Sequence, residues 1–526
     1  MKILVSDSLE QSLIDVLTRE GFEVDNKPGL TAAELKNIIG MYHGLVVRSS
    51  TKVTAELINL ASNMKVIGRA GTGVDNIDVD AATRLGILVM NTPGGNTISA
   101  AEHTVSMLLS LARNIPQAHM SLSSGEWERK KFIGTEVFEK TLGVVGLGKI
   151  GREVAQRCQG LGMKVVGYDP LLGSEIAMKS NIELVTLDEL YRRSDFITVH
   201  TPLTSQTKGL LNDSTLAKCK RGVRIVNCAR GGIIDEQALL RALDSGSVAG
   251  AALDVFEVEP PKNNPLLLHP RVVATPHLGA STEEAQEKVA VQIGHQIADA
   301  LHGRGYRGLV NGAALQLSIK EDVKPYLLLA EKMGSLVAQL TSGNVKELTV
   351  IATGEIVVSS LELMKAGILK GILSHVYPDP VNIINAPLLA HEVGLLLNEQ
   401  RDIAAENSTN LLGLRYRTEK GTKEVAGTVF GSSTVRLVKL DGFRFEVRPE
   451  GFLLFYENID RPGMLAKMGL ILARHNVNIA GVSLGRAAIG ENALTVMNID
   501  SDIPSQGMEE LLMQEGISSL KLVRLD

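Results

Sequence analysis

Apolar residues from Met1 to about Pro93 form short runs, separated by segments with the periodicity of an amphipathic helix. The runs KILVS, FEVD, GLVVR, MKVIG and ILVMN have the length of single strands, whereas LEQSLIDVLTRE and TAAELKNIIG place apolar residues three or four positions apart. Strands that alternate with helices in this way are typical of β-α-β units on a parallel sheet. The pattern therefore predicts an α/β fold for this part of the chain.

Two long helical patterns enclose a second block of alternating strands and helices. The first pattern, NTISAAEHTVSMLLSLARNI, carries small and apolar residues around much of its surface, so we expect it to lie buried between domains. The second, STEEAQEKVAVQIGHQIADALHG, begins after His277. We expect the chain to leave its first domain, build a second one over 99–281, and return. Residues 1–98 and 282–314 would then form one discontinuous domain.

The last third of the chain has a different character. Residues 315–450 predict a further α/β region without a glycine-rich motif, and to this region we assign no chemistry. From Gly451 onward the strand GFLLFY, a helix after DRPGM, the strands NIAGVSL and ALTVMNID, the helix MEELLMQE and the strand LKLVRL follow one another. The order βαββαβ is the ferredoxin-like pattern, which predicts a separate domain over 451–526.

Length and composition limit the classes of partner. A chain of 526 residues predicts roughly three to four domains. The net charge of −5 comes from interspersed signs without a long basic run, so neither nucleic acid nor a membrane is an expected partner. Cys158, Cys219 and Cys228 lack the spacing of a disulfide framework or a zinc site. Without a signal-like start or an apolar span of about 20 residues, we expect a cytoplasmic protein.

A glycine motif stands where the second block begins. Gly146, Gly148 and Gly151 follow the apolar strand LGVV and precede a helical segment. The glycines allow a tight turn, a close approach of the backbone to a pyrophosphate, and close helix packing. The next strand ends in Asp169, whose carboxylate can accept hydrogen bonds from a ribose, and no arginine adjoins it to bind a 2′-phosphate. The motif predicts a Rossmann-type domain that binds NAD rather than NADP.

Three polar loops follow later strands of the same block. The segments NCARGG, DVFEVEP and TPHLGAS contain Arg230, Glu259 and His277. Because ligands of open α/β sheets gather at the carboxyl ends of the strands, we expect these loops to meet near the nicotinamide. A histidine can move the proton of a secondary alcohol, a carboxylate can stabilise the imidazolium, and an arginine can orient a carboxylate substrate. Together they indicate a dehydrogenase that acts on a hydroxy acid.

These segments resemble a known family. VGLGKIG, HTPLT, NCARGGIIDE, ALDVFEVEP and TPHLGAST are similar to the D-isomer-specific 2-hydroxyacid dehydrogenases over about 1–314. Within that family, VVRSSTKV, GRAGTGVDNID and NTPGGNTISAAEHT resemble the 3-phosphoglycerate dehydrogenases. The resemblance implies the oxidation of 3-phosphoglycerate by NAD to 3-phosphohydroxypyruvate, the first step of serine synthesis. It also implies a flavodoxin-like substrate domain, the inserted Rossmann domain, an intervening domain and a terminal ACT domain.

The family assigns roles to particular positions of this chain. His277 would be the acid/base, Glu259 its partner, and Arg230 a substrate-binding residue. The positions that match cofactor contacts of the family are Thr72, Gly146, Gly148, Lys149, Ile150, Gly151, Asp169, Thr201, Cys228, Ala229, Arg230, Asp254, His277 and Gly279.

A phosphorylated substrate requires further cations and hydrogen-bond donors. Arg48 after the strand GLVV and Arg69 in GRAGTG are the candidates at strand ends, with Ser49 and Asn96 as neutral donors. The basic cluster Arg129-Lys130-Lys131 is another candidate, unless it is only a solvated turn. We expect the substrate's phosphate near Arg48.

The C-terminal segment NIDRPG, followed by NVNI, resembles an ACT domain, a unit that senses amino acids. Asn458, Asp460 and Asn478 are the candidate contacts for a serine effector, although relatives with a serine site tend to carry an aromatic residue or histidine in place of Asn458. The alternative is that this module only joins subunits. The family implies a homodimer or a homotetramer.

Two other functions stay open at this level. A glyoxylate or 2-oxoglutarate reductase of the same family would share the catalytic residues, and only Arg48 and its neighbours favour a phosphorylated substrate. A nucleotide-sensing scaffold on the same fold would bind NAD without being chiefly an enzyme. The Arg230, Glu259 and His277 set argues against the scaffold.

Overall fold

A computed structural model describes residues 1–172, 181–312, 320–341, 345–378, 380–402, 410–418 and 421–525. The described residues form four sheets of five, seven, six and four strands. The predicted boundary between residues 314 and 315 lies outside the described ranges. No helix among the described residues is long and apolar enough to cross a membrane.

The first sheet is parallel and has the strand order β2-β1-β3-β4-β5, which is the flavodoxin-like order. Its strands are β1 (Lys2–Val5), β2 (Glu23–Asn26), β3 (Gly44–Val47), β4 (Val66–Arg69) and β5 (Leu88–Asn91). The connecting helices are Gln11–Arg19, Ala32–Ile38, Ala55–Leu60 and Val79–Arg84, with a short 3-10 turn at Ile39–Met41.

The chain returns to this first sheet after the second one is complete, as the sequence predicts. Helix Glu283–Leu301 packs on β4, where a Cβ at Gly68 would lie 2.5 Å from the Cδ1 atom of Ile297. Further along, Leu309 forms an isolated bridge with Met90, and the side-chain oxygen of Asn311 accepts a 2.9 Å hydrogen bond from Val89 N. The first unit is therefore built from two separate parts of the chain.

The second sheet is parallel, with the order β12-β11-β10-β9-β6-β7-β8. Its strands are β6 (Thr141–Val145), β7 (Lys164–Tyr168), β8 (Glu183–Leu184), β9 (Phe196–Val199), β10 (Val223–Asn227), β11 (Val248–Leu253) and β12 (Val272–Ala274). Its helices are Thr97–Arg113, Ile115–Ser123, Lys149–Gly160, Leu187–Arg193, Asp213–Leu216 and Glu236–Asp244, with a 3-10 turn at Pro265–Leu268. The strand order reverses between β6 and β9, which is where a Rossmann-type sheet binds its dinucleotide.

The long helix predicted before this sheet is present as Thr97–Arg113. It ends at Arg113 because Asn114 adopts a left-handed conformation with φ of +53°, and a second helix starts at Ile115 with Pro116 in its first turn. The first helix buries Ala101, Leu108 and other small or apolar residues, whereas the second buries none. The predicted pattern spans residues 96–115, so the structure places this buried helix within two residues of the prediction at each end.

The third sheet is mixed, in the order β14-β13-β15-β16-β17-β18, with only the β13–β14 pair parallel. Its strands are β13 (Glu347–Thr353), β14 (Leu396–Asp402), β15 (Leu411–Thr418), β16 (Gly421–Phe430), β17 (Thr434–Leu440) and β18 (Phe443–Val447), and its helices are Lys324–Thr341, Glu355–Ser359, Leu361–Leu373 and Ala386–Glu392. It docks on the first unit, where Asn382 donates a 2.9 Å hydrogen bond to Gly86 O.

The fourth sheet is antiparallel, in the order β20-β21-β19-β22. Its strands are β19 (Gly451–Ile459), β20 (Ile479–Arg486), β21 (Asn492–Ile499) and β22 (Ile517–Leu525), and its helices are Met464–Arg474 and Ser505–Leu512. The element order is βαββαβ, as the ferredoxin-like prediction requires.

Candidate active site

A cleft of about 820 Å³ separates the first sheet from the second. It is lined by loops at the carboxyl ends of strands from both sheets, which is the position that open α/β folds use for ligands. The residues named from the sequence that line it are Arg48, Ser49, Arg69, Thr72, Asn96, Ile150, Thr201, Cys228, Ala229, Arg230, Glu259, His277 and Gly279.

The glycine turn lies beside this cleft, between β6 and helix Lys149–Gly160. Gly146 has a φ of +90°, and a Cβ there would lie 2.7 Å from the carbonyl oxygen of His200. A Cβ at Gly151 would lie 2.0 Å from Gly146 O, so the helix can approach the turn only without a side chain. Gly148 faces open space and gives the helix start no side-chain cap. The turn therefore leaves room and backbone N–H groups for an anion.

Two further groups suit a dinucleotide at this turn. Asp169 follows β7, and its carboxylate accepts hydrogen bonds of 2.8 Å from Leu147 N and from Leu171 N, which hold it above the turn. The hydroxyl oxygen of Thr201 is buried and has no hydrogen-bond partner within the protein. A buried hydroxyl without a partner is a group to which a bound ligand can supply the missing hydrogen bond. The residues present therefore fit an NAD molecule.

His277 and Glu259 form a hydrogen-bonded pair at the edge of the cleft. The Nδ1 atom of His277 lies 2.7 Å from Oε2 of Glu259, and the other carboxylate oxygen accepts a 3.1 Å hydrogen bond from Phe256 N. Although burial raises the pKa of Glu259, the hydrogen bond with His277, together with the charge of that ring, holds it below its usual value. Glu259 is therefore ionised beside the ring at neutral pH.

A buried carboxylate anchors the loop that carries His277. Asp254 follows β11 and accepts hydrogen bonds from the Thr275 hydroxyl at 2.6 Å, from Leu278 N at 2.7 Å and from Gly279 N at 2.9 Å. The Nε2 atom of His103 lies 3.1 Å from the same carboxylate. Within this loop His277 has a left-handed φ of +54°. Asp254, which does not line the cleft, thus acts in this structure through the loop.

Arg230 reaches across the cleft from the second sheet to the first. Its Nε donates a 3.1 Å hydrogen bond to Asp75, and its Nη1 donates one of 2.7 Å to Ala229 O. Arg69 lies nearby, with its Nε 3.0 Å from the side-chain oxygen of Asn76. Burial, followed by the charge of Arg230, lowers the pKa of Arg69 to about 10. Arg69 is therefore still a cation at neutral pH.

The loop around Arg48 is shaped by Asp7. The Asp7 carboxylate accepts hydrogen bonds from the backbone N–H groups of Arg48, Ser50 and Thr51 at 2.7, 3.1 and 3.3 Å. The Arg48 guanidinium then donates a 3.0 Å hydrogen bond to Gln286 on the returning helix. These contacts hold Arg48 and Ser49 at the cleft.

The remaining predicted positions have structural contacts of their own. Thr72 donates a 2.8 Å hydrogen bond to Asn96, and Lys149 Nζ lies 3.5 Å from Pro93 O. Burial raises the pKa of the Cys228 thiol to about 12, so it is protonated at neutral pH. The cluster Arg129-Lys130-Lys131 lies on an exposed turn and does not line the cleft.

Several residues of the site were missed in the sequence. Asp7 and Asp75 follow the strands β1 and β4, so the strand-end rule that selected Arg48 and Arg69 could have found them. His103 and Gln286 lie inside helices, where a single polar residue carries no signal of its partner. Their contacts arise only when separate elements pack together.

The three candidate effector residues are not together in one chain. Asn458 is buried near the end of β19, and its side-chain oxygen has no hydrogen-bond partner in the protein. Asp460 accepts a 3.0 Å hydrogen bond from Arg486 close by. Asn478 lies at the opposite end of the sheet, where it donates a 2.7 Å hydrogen bond to Asp500. The strand register separates Asn478 from Asn458 by about 20 Å, at about 3.3 Å per residue.

Comparison with known families adds two matches. The model of the NAD-binding domain of D-isomer specific 2-hydroxyacid dehydrogenases matches residues 105–279. The model of the D-3-phosphoglycerate dehydrogenase intervening domain matches residues 322–441. The first range includes the glycine turn and the loops of Arg230, Glu259 and His277.

Similar proteins match over the whole chain. The D-3-phosphoglycerate dehydrogenase of Synechocystis is 44% identical over all of this chain and 95% of its own length. That of Methanocaldococcus jannaschii is 41% identical over the full length of both chains, and that of Homo sapiens is 44% identical over 96% of each.

Solved structures match the first two sheets. A glyoxylate reductase from Paecilomyes thermophila is 30% identical, with a TM-score of 0.55, and it covers 59% of this chain and 98% of its own. An NAD-dependent formate dehydrogenase from Staphylococcus aureus, solved with NAD, is 28% identical with a TM-score of 0.54, covering 59% of this chain and 99% of its own.

Proposed function

The chain belongs to the D-isomer-specific 2-hydroxyacid dehydrogenases, among the D-3-phosphoglycerate dehydrogenases, and we propose that it oxidises 3-phosphoglycerate to 3-phosphohydroxypyruvate with NAD. This is the first step of L-serine biosynthesis. The observation that carries the proposal is the His277–Glu259 pair, 2.7 Å apart, which lies with Arg230 on the cleft beside the glycine turn. A proton acceptor, its counter-charge and a carboxylate-binding cation are thus present together.

The protein's part of the reaction is to bind, orient and move one proton. When bound, NAD supplies the nicotinamide carbon that accepts the hydride from C2 of the substrate. The Nδ1 atom of His277 faces Glu259, so Nε2 is the nitrogen that can take the proton of the C2 hydroxyl. The ionised Glu259 then stabilises the imidazolium. In the reverse direction the same Nε2 returns the proton.

The cofactor is held by the glycine turn and its surroundings. Gly146, Gly148 and Gly151 would cradle the pyrophosphate, and Asp169 would accept hydrogen bonds from the adenosine ribose. The unpartnered hydroxyl of Thr201 supports a polar contact at the same turn. The other positions that match family contacts, among them Lys149, Ile150 and Ala229, would complete the site.

The cationic side of the cleft supports a phosphorylated substrate. Arg48 and Arg69 end neighbouring strands of the first sheet and line the cleft, with Ser49 and Asn96 as neutral donors. A substrate that carries a carboxylate and a phosphate has two anionic groups, and Arg230 can take only one of them. We propose that Arg230 binds the carboxylate and that Arg48 binds the phosphate.

The test is NADH oxidation by the purified protein with 3-phosphohydroxypyruvate, glyoxylate and 2-oxoglutarate. We expect kcat/KM to be highest for the phosphorylated acid by several orders of magnitude. Arg48→Ala should raise KM for that acid without changing KM for glyoxylate, and Arg192→Ala, on a helix outside the cleft, is the control. Equal preference for the three acids would indicate a glyoxylate or 2-oxoglutarate reductase instead.

We also propose that serine regulates the enzyme through the ferredoxin-like unit at the C-terminus, which we interpret as an ACT domain. Asn458 offers a buried oxygen without a partner, and Asp460 lies nearby. Because Asn478 is far from both within one chain, a site that uses all three needs Asn478 from a second copy. This requires a homodimer or homotetramer. Serine titration of activity at saturating substrate, with Asn478→Ala compared with the unchanged protein, tests this proposal. No response to serine would contradict it.

A further inference from the structure

Asp75 forms an ion pair with Arg230 across the cleft. It lies in the loop after β4 of the first sheet, whereas Arg230 follows β10 of the second. The Asp75 carboxylate accepts the 3.1 Å hydrogen bond from Nε of Arg230. The side chain of Asp75 is 71% exposed and that of Arg230 is 29% exposed, so the carboxylate can move away while the guanidinium stays in the cleft.

The backbone of the loop is shaped to receive the guanidinium. A Cβ at Gly73 would lie 1.9 Å from Nη2 of Arg230 and 2.7 Å from Oδ2 of Asp75. A side chain at position 73 would therefore have to push the Arg230 guanidinium and the Asp75 carboxylate away from their present places. Arg230 is seated on Gly73, with the edge that carries Nε and Nη2 turned toward Asp75.

This edge is one that a carboxylate substrate needs. A guanidinium binds a carboxylate most strongly with two adjacent N–H groups. Nε of Arg230 is used by Asp75 and Nη1 by Ala229 O. From this geometry we infer that Asp75 is an internal competitor, whose carboxylate occupies the donor edge of Arg230 until the substrate's carboxylate displaces it. The inference rests on the proposed function of Arg230.

The positive charges around the cleft indicate what Asp75 does as a competitor. Arg48, Arg69 and Arg230 all line it, and the charges of Arg230 and Arg48 both lower the pKa of Arg69. Asp75 has the opposite effect on that pKa, so it offsets part of the positive charge. Small anions then gain less from entering the cleft, whereas a substrate with both a carboxylate and a phosphate engages further cations and can displace Asp75. Asp75 therefore sets a threshold that every carboxylate must overcome, and a simple carboxylate, which lacks contacts to the other cations, is left weakly bound.

The test compares Asp75→Asn with a matched control, Asp80→Asn. Asp80 is an exposed carboxylate five residues away, outside the cleft. Calorimetry with oxalate in the presence of NADH measures the binding of a simple carboxylate. Steady-state assays give KM and kcat for 3-phosphohydroxypyruvate. For Asp75→Asn we expect the dissociation constant of oxalate to fall about two- to fivefold, the range for loss of an exposed ion pair. KM should fall less, kcat should not decrease, and Asp80→Asn should match the unchanged protein.

The inference is overturned if oxalate binds Asp75→Asn no more tightly than the unchanged protein, or if Asp80→Asn shows the same gain. It is also overturned if Asp75→Asn loses turnover together with oxalate affinity, since Asp75 would then only hold Arg230 in place. Failure of the proposed function is separate: the unchanged protein would not oxidise NADH with 3-phosphohydroxypyruvate, while the oxalate titration would still measure the competition.

Discussion

Replacement of Asp254 by asparagine should release the loop that carries His277. The Asp254 carboxylate is only 1% exposed, so its hydrogen bonds are not weakened by solvent. An asparagine oxygen can still accept from the Thr275 hydroxyl and Leu278 N. Its amide nitrogen then meets Gly279 N, and two donors face each other. An unsatisfied buried donor costs about 1–3 kcal/mol, and the two remaining hydrogen bonds lose the contribution of the charge. We expect the free energy that holds the loop in place to fall by about 3 kcal/mol.

The consequence can be measured at the loop itself. Since about 1.4 kcal/mol corresponds to a factor of ten, backbone amides of residues 278 and 279 should exchange with deuterium roughly 100-fold faster. Turnover should fall about 100-fold as well, because a displacement of about 1 Å of a catalytic group has that effect.

Thr275→Val is the graded comparison, since it removes one donor and leaves the carboxylate. Its effect on exchange and turnover should be smaller than that of Asp254→Asn. If the amide exchange rates and the turnover of Asp254→Asn stay within twofold of those of the unchanged protein, Asp254 does not anchor the loop.

Three further predictions concern the His277–Glu259 pair, the glycine turn and the dependence of stability on pH. His277→Ala should lower kcat about 100-fold or more, as expected for loss of a general acid/base, while calorimetry finds NAD binding nearly unchanged; unchanged turnover would remove His277 from this role. Gly151→Ala places a Cβ 2.0 Å from Gly146 O. At about 1–3 kcal/mol for such overpacking, the dissociation constant of NAD should rise at least about fivefold, whereas Gly160→Ala, which meets nothing within 4 Å, should leave it unchanged. The pKa of Glu259 is lowered, so its contribution to stability is present above the ordinary glutamate pKa of about 4.3 and is lost as the pH falls through the lower folded value. The melting temperature of Glu259→Gln should therefore lie below that of the unchanged protein at neutral pH and approach it in acid. A difference in melting temperature that stays constant at all pH values would contradict this.

The alternation of apolar runs and helical segments was sufficient to predict the α/β class and the return of the chain to its first sheet. Both depend on local period and on the order of elements along the chain. The glycine turn could also be predicted, because the spacing of the glycines has a steric cause: position 151 leaves no room for a side chain beside Gly146 O. The buried helix Thr97–Arg113 was predicted to within two residues, but the left-handed conformation of Asn114 that ends it was not anticipated.

That the candidate catalytic residues Arg230, Glu259 and His277 lie on one cleft was also predictable, from their residue types and their positions after strands. Arg230, Glu259 and His277 each follow a strand of one parallel sheet, and parallel strands bring their carboxyl ends to the same edge. The distance between His277 and Glu259 was not predictable, since it depends on how the loop after β12 folds against Asp254.

The sequence by itself thus determined the fold class and was sufficient to propose the cofactor turn and the candidate reacting groups, because those follow from periodicity and from residues close together along the chain. Only the tertiary structure decided which distant side chains meet: His103 with Asp254, Gln286 with Arg48, and Asp75 with Arg230. Asp75 and Arg230 are 155 positions apart. Each of these contacts requires two separately folded elements to pack at a particular distance, and no local pattern contains that distance.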